Sequence, residues 1–457
     1  MKSLESVIGT SHATVVDPEF RHSGKSARTL IKRSQLATWD EGSRGHDALA
    51  TILAQNSIRA QDLLPIRHGR MAASPWTYFR GAAAVMAADL GSAPNTGIGV
   101  QLCGDAHVLN FGLWATPERN LSFDLRDFDE TIPGPFEWDV KRLASSIVVL
   151  ARDNGVSEER AQAAVIAAVT AYRDKMFYYA DTPAIDIWYD RVDVDRLLQH
   201  FTAETAKRAE KVIETRAERR TSRGASRKLL ESVDGRNRIR EDPPFRIHVG
   251  SQQEGLAAEV IGGYRSSLPD HIWSLLSRYV TSDAVRQVVG VGSVGMRVFL
   301  ALLEERRTGD PFFLQIKQAG PSVYAPFVAP SRYARHGERV VQGQRMLQSA
   351  TDMFVGWTTV GDLEFYVRQF RDMKVIPDGP TVGPHLAEFG TACGEVLARA
   401  HARSGDAQAI SEYLGRSDKP IGALARFARK YADQNERDHA QLVAAIADGS
   451  VEATNGW

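Results

Sequence analysis

Apolar residues recur with helical spacing in the first half and the final part of the chain, and in short strand-like runs between these two parts. Helical periodicity indicates amphipathic helices, whereas short alternating or continuous apolar runs bounded by turn residues indicate strands. The pattern predicts helices over residues 76–90, 137–153, 157–179, 337–349, 389–401 and 421–431. It predicts strands over residues 98–103, 121–125, 288–291, 298–303, 312–317 and 365–369. An α+β fold is therefore expected.

The same pattern divides the chain into parts. They are an N-terminal arm (1–60), a helical lobe (61–242), a small antiparallel-sheet lobe (243–375) and C-terminal helices that complete the helical lobe (376–457). Residues 1–45 are polar and irregular, which predicts a loosely packed cover. Residues 203–242 are rich in Arg, Lys and Glu, and we expect a solvated helix that becomes a loop around 221–226.

Length and charge narrow the classes of partner. The 457 residues are enough for two lobes with a sizeable core. The 56 basic and 56 acidic side chains balance, so there is no global attraction to nucleic acid or to an anionic membrane, and neither is expected as a partner. Only Cys103 and Cys393 are present, which excludes a disulfide scaffold and fits the cytoplasm. We see no secretory signal and no run long enough to span a membrane.

Two acids and an amide follow the first two predicted strands. Asp105 and Asn110 lie after the first strand and Asp127 after the second, with His107 and Asp129 close by. Mg²⁺ is usually held by one or two carboxylates together with phosphate oxygens, and phosphoryl transfer needs a further acid that orients the attacking hydroxyl. We therefore interpret Asp105, His107 and Asn110 as catalytic residues. Asn110, Asp127 and Asp129 are the candidate metal ligands. The alternative is an acidic loop whose members only cap turns.

A glycine-rich turn precedes a strand that delivers a lysine. The turn contains Gly290, Gly292, Ser293 and Gly295. Glycine has no Cβ and reaches positive φ, so backbone N–H groups in such a turn can approach phosphate closely. In a kinase hairpin the glycines join two antiparallel strands, and a lysine on the third strand, here Lys317, reaches the phosphates.

Two alternatives exist for this turn. A dinucleotide site would need a helix over 296–305 and an acid on the following strand, but that strand carries Lys317. A plain hairpin turn is the other alternative. We prefer the phosphate-binding interpretation, which makes the four turn residues and Lys317 nucleotide-binding residues.

Further charged residues extend this hypothesis. Glu338, on the helix predicted over 337–349, is a candidate partner that would hold Lys317 toward the phosphates. Arg67, Arg70 and Arg80 precede the first acid, and their guanidinium groups suit phosphate or carboxylate. Local pairing is the commoner role of such arginines, and we favour it here.

The segment 104–110, GDAHVLN, resembles the catalytic loop of aminoglycoside and choline kinases, which carry an HGDxHxxN-type motif. Cys103 replaces the leading His of that motif. The segment 127–129, DFD, is similar to the metal-binding segment of the same kinases. Asp139 is similar to an acid that in those kinases anchors the catalytic loop from a following helix. The resemblance implies a two-lobed protein kinase-like fold with ATP and Mg²⁺ as cofactors.

A closer resemblance covers residues 60–440, which look like the bacterial family labelled domain of unknown function 2252. It rests on the segments 65–67 (PIR), 74–81 (SPWTYFRG), 104–110 (GDAHVLN), 128–135 (FDETIPGP) and 431–434 (YADQ). In kinases the glycine turn precedes the catalytic loop, whereas here it follows. The helix predicted over 389–401 resembles the one that leads into that loop. A circularly permuted kinase-like fold would explain both orders, because domain termini are often close and exposed.

The residues together predict an ATP- and Mg²⁺-dependent phosphotransferase that acts on an unidentified hydroxyl acceptor, either a small molecule or a protein. A metal-dependent phosphoesterase is one alternative, using Asp105, His107, Asp127 and Asp129. A nucleotide-binding pseudokinase without turnover is another. Both alternatives use the same two loops, so the convergence of Lys317 with these acids is the decisive geometric expectation.

Overall fold

The computed structural model describes residues 24–219, 221–370 and 373–454. Its helices are α1 (Gly24–Leu30), α2 (Ala48–Ala54), α3 (Leu64–Ala72), α4 (Pro75–Gly81), α5 (Ala83–Gly91), α6 (Phe136–Asp153), α7 (Glu158–Ala180), α8 (Ala184–Tyr189), α9 (Val194–Leu198), α10 (Ala203–Arg219), α11 (Ser222–Leu229), α12 (Ser251–Gly263), α13 (Asp270–Leu276), α14 (His336–Leu347), α15 (Gly379–Val382), α16 (Leu386–Ser404), α17 (Ala407–Leu414) and α18 (Lys419–Ala447).

The strands are short and pair antiparallel. They are β1 (Gly99–Leu102), β2 (Phe111–Ala115), β3 (Leu121–Leu125), β4 (Ile132–Pro135), β5 (Val192–Asp193), β6 (Leu230–Val233), β7 (Arg236–Ile239), β8 (Arg246–Ile247), β9 (Tyr279–Gln287), β10 (Val298–Glu305), β11 (Pro311–Ala319), β12 (Gly356–Val360) and β13 (Leu363–Gln369). The largest sheet has the order β12-β13-β11-β10-β9-β8. The predicted α+β class with antiparallel sheets is confirmed, and the architecture is consistent with two lobes.

The helical part is built around α6, which is buried along nearly its whole length. Helix α7 begins at the predicted cap, where the Ser157 side chain accepts a hydrogen bond from the backbone N–H of Arg160. Helix α16 packs closely on α7, because a Cβ at Gly394 would lie 2.1 Å from the carbonyl oxygen of Ala168. This close contact fixes the position of α16 on α7.

The six-stranded sheet is covered on both faces. Helices α12 and α13 bury Val260 and Ile272 against Leu314. The other face receives Ala225 and Leu229 of α11. Residues 222–239, assigned above to the helical lobe, thus contact the sheet.

Three predicted segments differ in the structure. The helix expected over 76–90 is broken into α4 and α5 at Ala82, directly after the poor helix former Gly81. The loop expected at 221–226 is instead the start of α11, because the Thr221 side chain caps it and burial against the sheet favours helix over the local polar sequence. The strand expected at 288–291 is wrong, since Val291 leaves the sheet and packs among α2, α4 and α5.

The N-terminal segment is also more ordered than expected. Residues 1–23 lie outside the described residues. Within 24–45, Ala27 and Leu36 are fully buried in the main core. Arg44 forms ion pairs with Asp89 at 2.8 Å and Asp438 at 2.7 Å. This part of the predicted loose cover is therefore a packed part of the helical lobe.

No helix in the described part of the chain is both long and apolar enough to cross a bilayer.

Candidate active site

The loop after β1 is shaped by a glycine and anchored by a buried acid. Gly104 has a φ of +84°, and a Cβ there would lie 2.5 Å from the carbonyl oxygen of Glu130, so only glycine fits. The Asp139 carboxylate on α6 accepts hydrogen bonds from the backbone N–H groups of Cys103 at 2.6 Å and Gly104 at 2.9 Å. His401 of α16 contacts the same carboxylate at 3.3 Å. The anchoring contact implied by the kinase resemblance is therefore present.

Asp105 lies at the tip of this loop beside a buried cation. Arg142 Nε donates to Asp105 Oδ1 at 2.9 Å, and Asp105 Oδ2 lies 3.9 Å from His107 Nε2. Burial raises the pKa of Asp105, while Arg142 acts against that rise. Burial lowers the pKa of His107, and neighbouring arginines add to this effect, so the imidazole is neutral at physiological pH. Asp105 is thus a carboxylate of raised pKa with one oxygen bonded to Arg142.

Asn110 ties the two candidate loops together. Its Nδ2 donates to the carbonyl oxygens of Asp105 at 2.8 Å and Asp127 at 3.1 Å. Its Oδ1 accepts the backbone N–H of Asp127 at 3.0 Å. The side chain therefore fixes the spacing of the two acids directly, and one lone pair on Oδ1 is left for a further contact.

Lys317 of β11 meets both acids of the second loop. Its Nζ lies 3.2 Å from Asp127 Oδ1 and 2.6 Å from Asp129 Oδ2. Tyr366 of β13 donates its hydroxyl to Asp129 Oδ1 at 2.6 Å. Burial opposes ionisation of Asp127, but the charges of Lys317 and Arg368 outweigh it and hold the pKa of this carboxyl below its usual range. The decisive geometric expectation, convergence of Lys317 with Asp127, is met.

The predicted partner of Lys317 needs a correction. Glu338 lies in the first turn of α14, but among the described residues Lys317 pairs with Asp127 and Asp129 instead. The next residue on the helix, Arg339, is the one that turns inward, and its Nη2 donates to the carbonyl oxygen of Asp129 at 2.8 Å. Successive helix residues differ by about 100° in direction, so adjacent positions on α14 point to different surroundings.

The glycine turn joins β9 to β10, which are antiparallel, and β10 pairs in turn with β11. Gly295 has a φ of +90°, and a Cβ there would lie 2.8 Å from Arg59 Cβ. Arg59 Nη1 donates to the Gly292 carbonyl oxygen at 2.9 Å. Ser293 donates its backbone N–H to the Gly290 carbonyl oxygen at 3.1 Å. The dinucleotide alternative is wrong, because the helix it needs over 296–305 is the strand β10.

The turn and both acidic loops face one cleft of about 340 Å³. Among the described residues its cationic lining consists of Arg59, Arg80, Arg126, Lys317, Arg368 and Lys374. Its acidic lining consists of Asp105, Asp127, Asp129 and Glu130. Gly290, Gly292, Ser293, His107 and Asn110 also line it. Cations thus outnumber acids, which suits a polyanionic ligand.

Sequence reasoning missed four of these cations. Arg126 precedes Asp127 directly, and this adjacency was a usable signal. Arg59, Arg368 and Lys374 are brought in by tertiary contacts and carry no local motif. Burial lowers the pKa of Arg126 to about 10 and lowers the pKa of Lys374 well below its usual value, and neighbouring cations add to both shifts.

Glu130 gives a pH-dependent prediction. Its Oε2 accepts the Val323 backbone N–H at 2.7 Å, and burial raises the pKa of Glu130 from 4.5 to about 7. Between about pH 4.5 and 7 the Glu130 carboxyl is therefore protonated in the folded state and ionised in the unfolded chain. The contribution of Glu130 to the free energy of unfolding falls as the pH rises through this range and then levels off. In Glu130→Gln this contribution is absent. We expect the difference in unfolding free energy between wild type and variant to change across this pH range, as measured by denaturant titration. A constant difference would contradict the assignment.

The comparisons with known proteins agree with one resemblance stated above. A family model described as "Uncharacterized protein conserved in bacteria (DUF2252)" matches residues 59–445. No curated protein and no solved structure was found to match the chain.

Proposed function

The chain belongs to the DUF2252 family, and from that premise and the geometry of the cleft we propose that it is an ATP- and Mg²⁺-dependent phosphotransferase that acts on a hydroxyl-bearing acceptor. The observation that carries the proposal is the 3.2 Å contact between Lys317 and Asp127, residues 190 positions apart. It joins β11, the second strand after the glycine turn, to the loop that carries the candidate metal ligands.

The residues present suit a nucleotide triphosphate. The cleft is within the range of about 300–1,000 Å³ that ligand sites occupy. Gly290, Gly292 and Ser293 line it from the sheet side, where backbone N–H groups can approach phosphate. The excess of cations would neutralise the triphosphate charge.

The donor set also suits Mg²⁺. Asp127 is held ionised and Asp129 lies beside it, while Asn110 keeps a free lone pair on Oδ1. One or two carboxylates with phosphate oxygens are the usual protein share of a Mg²⁺ site. When bound, Mg²⁺ supplies charge neutralisation at the phosphate oxygens. Lys317 contacts both carboxylates, and its charge favours the ionised form of Asp127.

Asp105 is the group that would receive the proton of the acceptor hydroxyl. Arg142 holds its Oδ1, which leaves Oδ2 for the acceptor. A carboxylate of raised pKa is a stronger base than an ordinary aspartate. The acceptor oxygen then bonds to the terminal phosphorus of ATP, the bond from that phosphorus to the bridging oxygen breaks, and ADP leaves with the electron pair.

A circularly permuted kinase-like fold is supported by the ends of two elements. Helix α16 ends where Ser404 Oγ accepts the Gln101 backbone N–H of β1 at 3.1 Å. A Cβ at Gly405 would lie 2.8 Å from the Gly99 carbonyl oxygen. A chain in kinase order would pass from this helix into the strand before the catalytic loop, and the two ends are adjacent as such a chain requires.

The phosphoesterase alternative has less support. Metal-dependent phosphoesterases assemble two ions from clustered ligands. The described residues contain no group of three or more His, Cys, Asp or Glu side chains that could hold a metal. Analysis of the purified protein for tightly bound Mn, Fe or Zn separates the two, because the phosphotransferase is expected to hold only exchangeable Mg²⁺.

The direct test is a thermal-shift series with ATP, ADP and GTP, each with and without Mg²⁺. A ligand that binds the folded state at 100 times its Kd adds about 2.7 kcal/mol of stability. We expect stabilisation by ATP that requires Mg²⁺, and ADP formation once a hydroxyl acceptor is supplied. Stabilisation without ADP formation for any acceptor would favour the pseudokinase. No stabilisation by any nucleotide would reject nucleotide binding altogether.

A further inference from the structure

The three arginines that precede the catalytic loop have different environments. Arg67 Nη2 donates to Gln55 Oε1 at 2.9 Å, and Arg70 Nη1 donates to the Val289 carbonyl oxygen at 3.0 Å. The Arg80 guanidinium has neither a hydrogen bond nor an ion pair within the described chain, and its Nε is buried without a partner. Its recorded ring contact is with Trp76, at 6.0 Å from Cζ to the ring centre. Local pairing, favoured above for all three, does not account for Arg80.

Arg80 is positioned between the glycine turn and the acids. It lines the cleft, and its Nη2 lies 3.6 Å from where a Cβ at Gly290 would be. The acids that act on its charge are Asp105 and Asp127. The guanidinium therefore lies where the phosphate-facing turn, the proposed base and the proposed metal ligand meet. In the proposed reaction the transferred phosphoryl group must occupy this same region.

The buried Nε of Arg80 has no acceptor, and a buried donor without a partner is costly. A phosphate group would offset this cost, because its oxygens accept short, charge-assisted hydrogen bonds from the parallel N–H groups of arginine. Lys317 and Arg142 are already paired with acids, and Arg59 is bonded to the turn. Arg80 is the cation at this meeting point whose donors are uncommitted in the described structure.

We propose that Arg80 binds the terminal phosphate of the nucleotide and makes the cleft distinguish a nucleoside triphosphate from a diphosphate. This inference rests on the proposed function. As the acceptor oxygen bonds to the terminal phosphorus and its proton passes to Asp105, Arg80 stabilises the negative charge on the transferred oxygens, and ADP leaves. An arginine supplied in this way accelerates phosphoryl transfer by about 10³–10⁵ in other enzymes.

The test compares Mg²⁺-ATP and Mg²⁺-ADP binding by isothermal titration of the full chain. Wild type is expected to bind ATP at least tenfold more tightly than ADP. Arg80→Met should lose this preference while its ADP affinity stays within about twofold of wild type. Arg80→Lys keeps the charge but not the planar group, and should retain part of the preference; it also serves if the Met variant does not fold. Arg70→Met is the matched control, because Arg70 bonds the Val289 carbonyl oxygen beside the same turn and is not part of the cleft lining; this variant should keep the full ATP preference.

The outcomes separate the two proposals. An ATP preference that survives in both Arg80 variants would overturn the role of Arg80 and leave the phosphotransferase proposal standing. Equal losses of ATP and ADP affinity in the Arg80 variants would also overturn it, because they would indicate a structural role. Failure of wild type to bind either nucleotide would overturn both proposals.

Discussion

Replacement of Asp127 by alanine is expected to abolish the Mg²⁺-dependent stabilisation by ATP. Asp127 is the acid whose ionised form is favoured most clearly, and it lies in contact with Lys317. Without its carboxylate the proposed Mg²⁺ site would lose a ligand, and the phosphates would face a less compensated cluster of cations. At 100 times the wild-type Kd, the expected loss is the whole binding contribution of about 2.7 kcal/mol. The measurement is the melting temperature with ATP, with and without Mg²⁺.

Two further variants make this result interpretable. Asp127→Asn keeps the side-chain shape and should lose the Mg²⁺ effect as Asp127→Ala does. Glu338→Gln removes a carboxylate that lies outside the cleft lining and should keep it. Lys317 retains Asp129 as a partner in both Asp127 variants, so the fold is expected to persist. A full Mg²⁺-dependent shift in Asp127→Ala would contradict the assigned role.

Replacement of Asp139 by alanine is expected to lower the unfolding free energy by about 3–5 kcal/mol. The change leaves the buried N–H groups of Cys103 and Gly104 without acceptors and removes one of the two partners of His401. Each buried donor without a partner costs about 1–3 kcal/mol. Denaturant unfolding followed by circular dichroism measures the loss.

The matched control is Asp153→Ala, at the exposed end of the same helix α6. Its effect should stay within about 0.5 kcal/mol, because exposed positions away from caps and networks contribute little. A loss below about 1 kcal/mol in Asp139→Ala would show that the loop does not depend on its anchor.

Prediction from the sequence was most accurate for features that depend on residues close together in the chain. Ser157 caps its helix, and the antiparallel hairpin around the glycine turn forms as its pattern predicts. The relation of Lys317 to Asp127 could also be proposed, because two chemical motifs each implied phosphate and metal. These predictions needed only spacing, turn chemistry and the preferences of a few residue types.

The features that could not be predicted from the sequence depend on tertiary contacts. Arg368 and Lys374 reach the cleft from a distant strand and the segment after it, so no local pattern marks them. The choice between Glu338 and Arg339 depends on how α14 is rotated, which its neighbours set. Likewise, the loop predicted at 221–226 is helical because Ala225 and Leu229 are buried against the sheet.

The anchor of the loop after β1 has a consequence for biosynthesis. Asp139 is contacted by His401, whose other ring nitrogen meets the hydroxyl of Tyr172 at 2.8 Å. Chains emerge from the ribosome N-terminus first, so the loop, the metal ligands and Lys317 are all translated before the helix that carries His401. A nascent polypeptide therefore lacks the contact between His401 and Asp139 until α16 has been made. Premature termination after Lys374 and before His401 would yield a product that contains every candidate ligand-binding residue and lacks the His401 contact to the loop anchor.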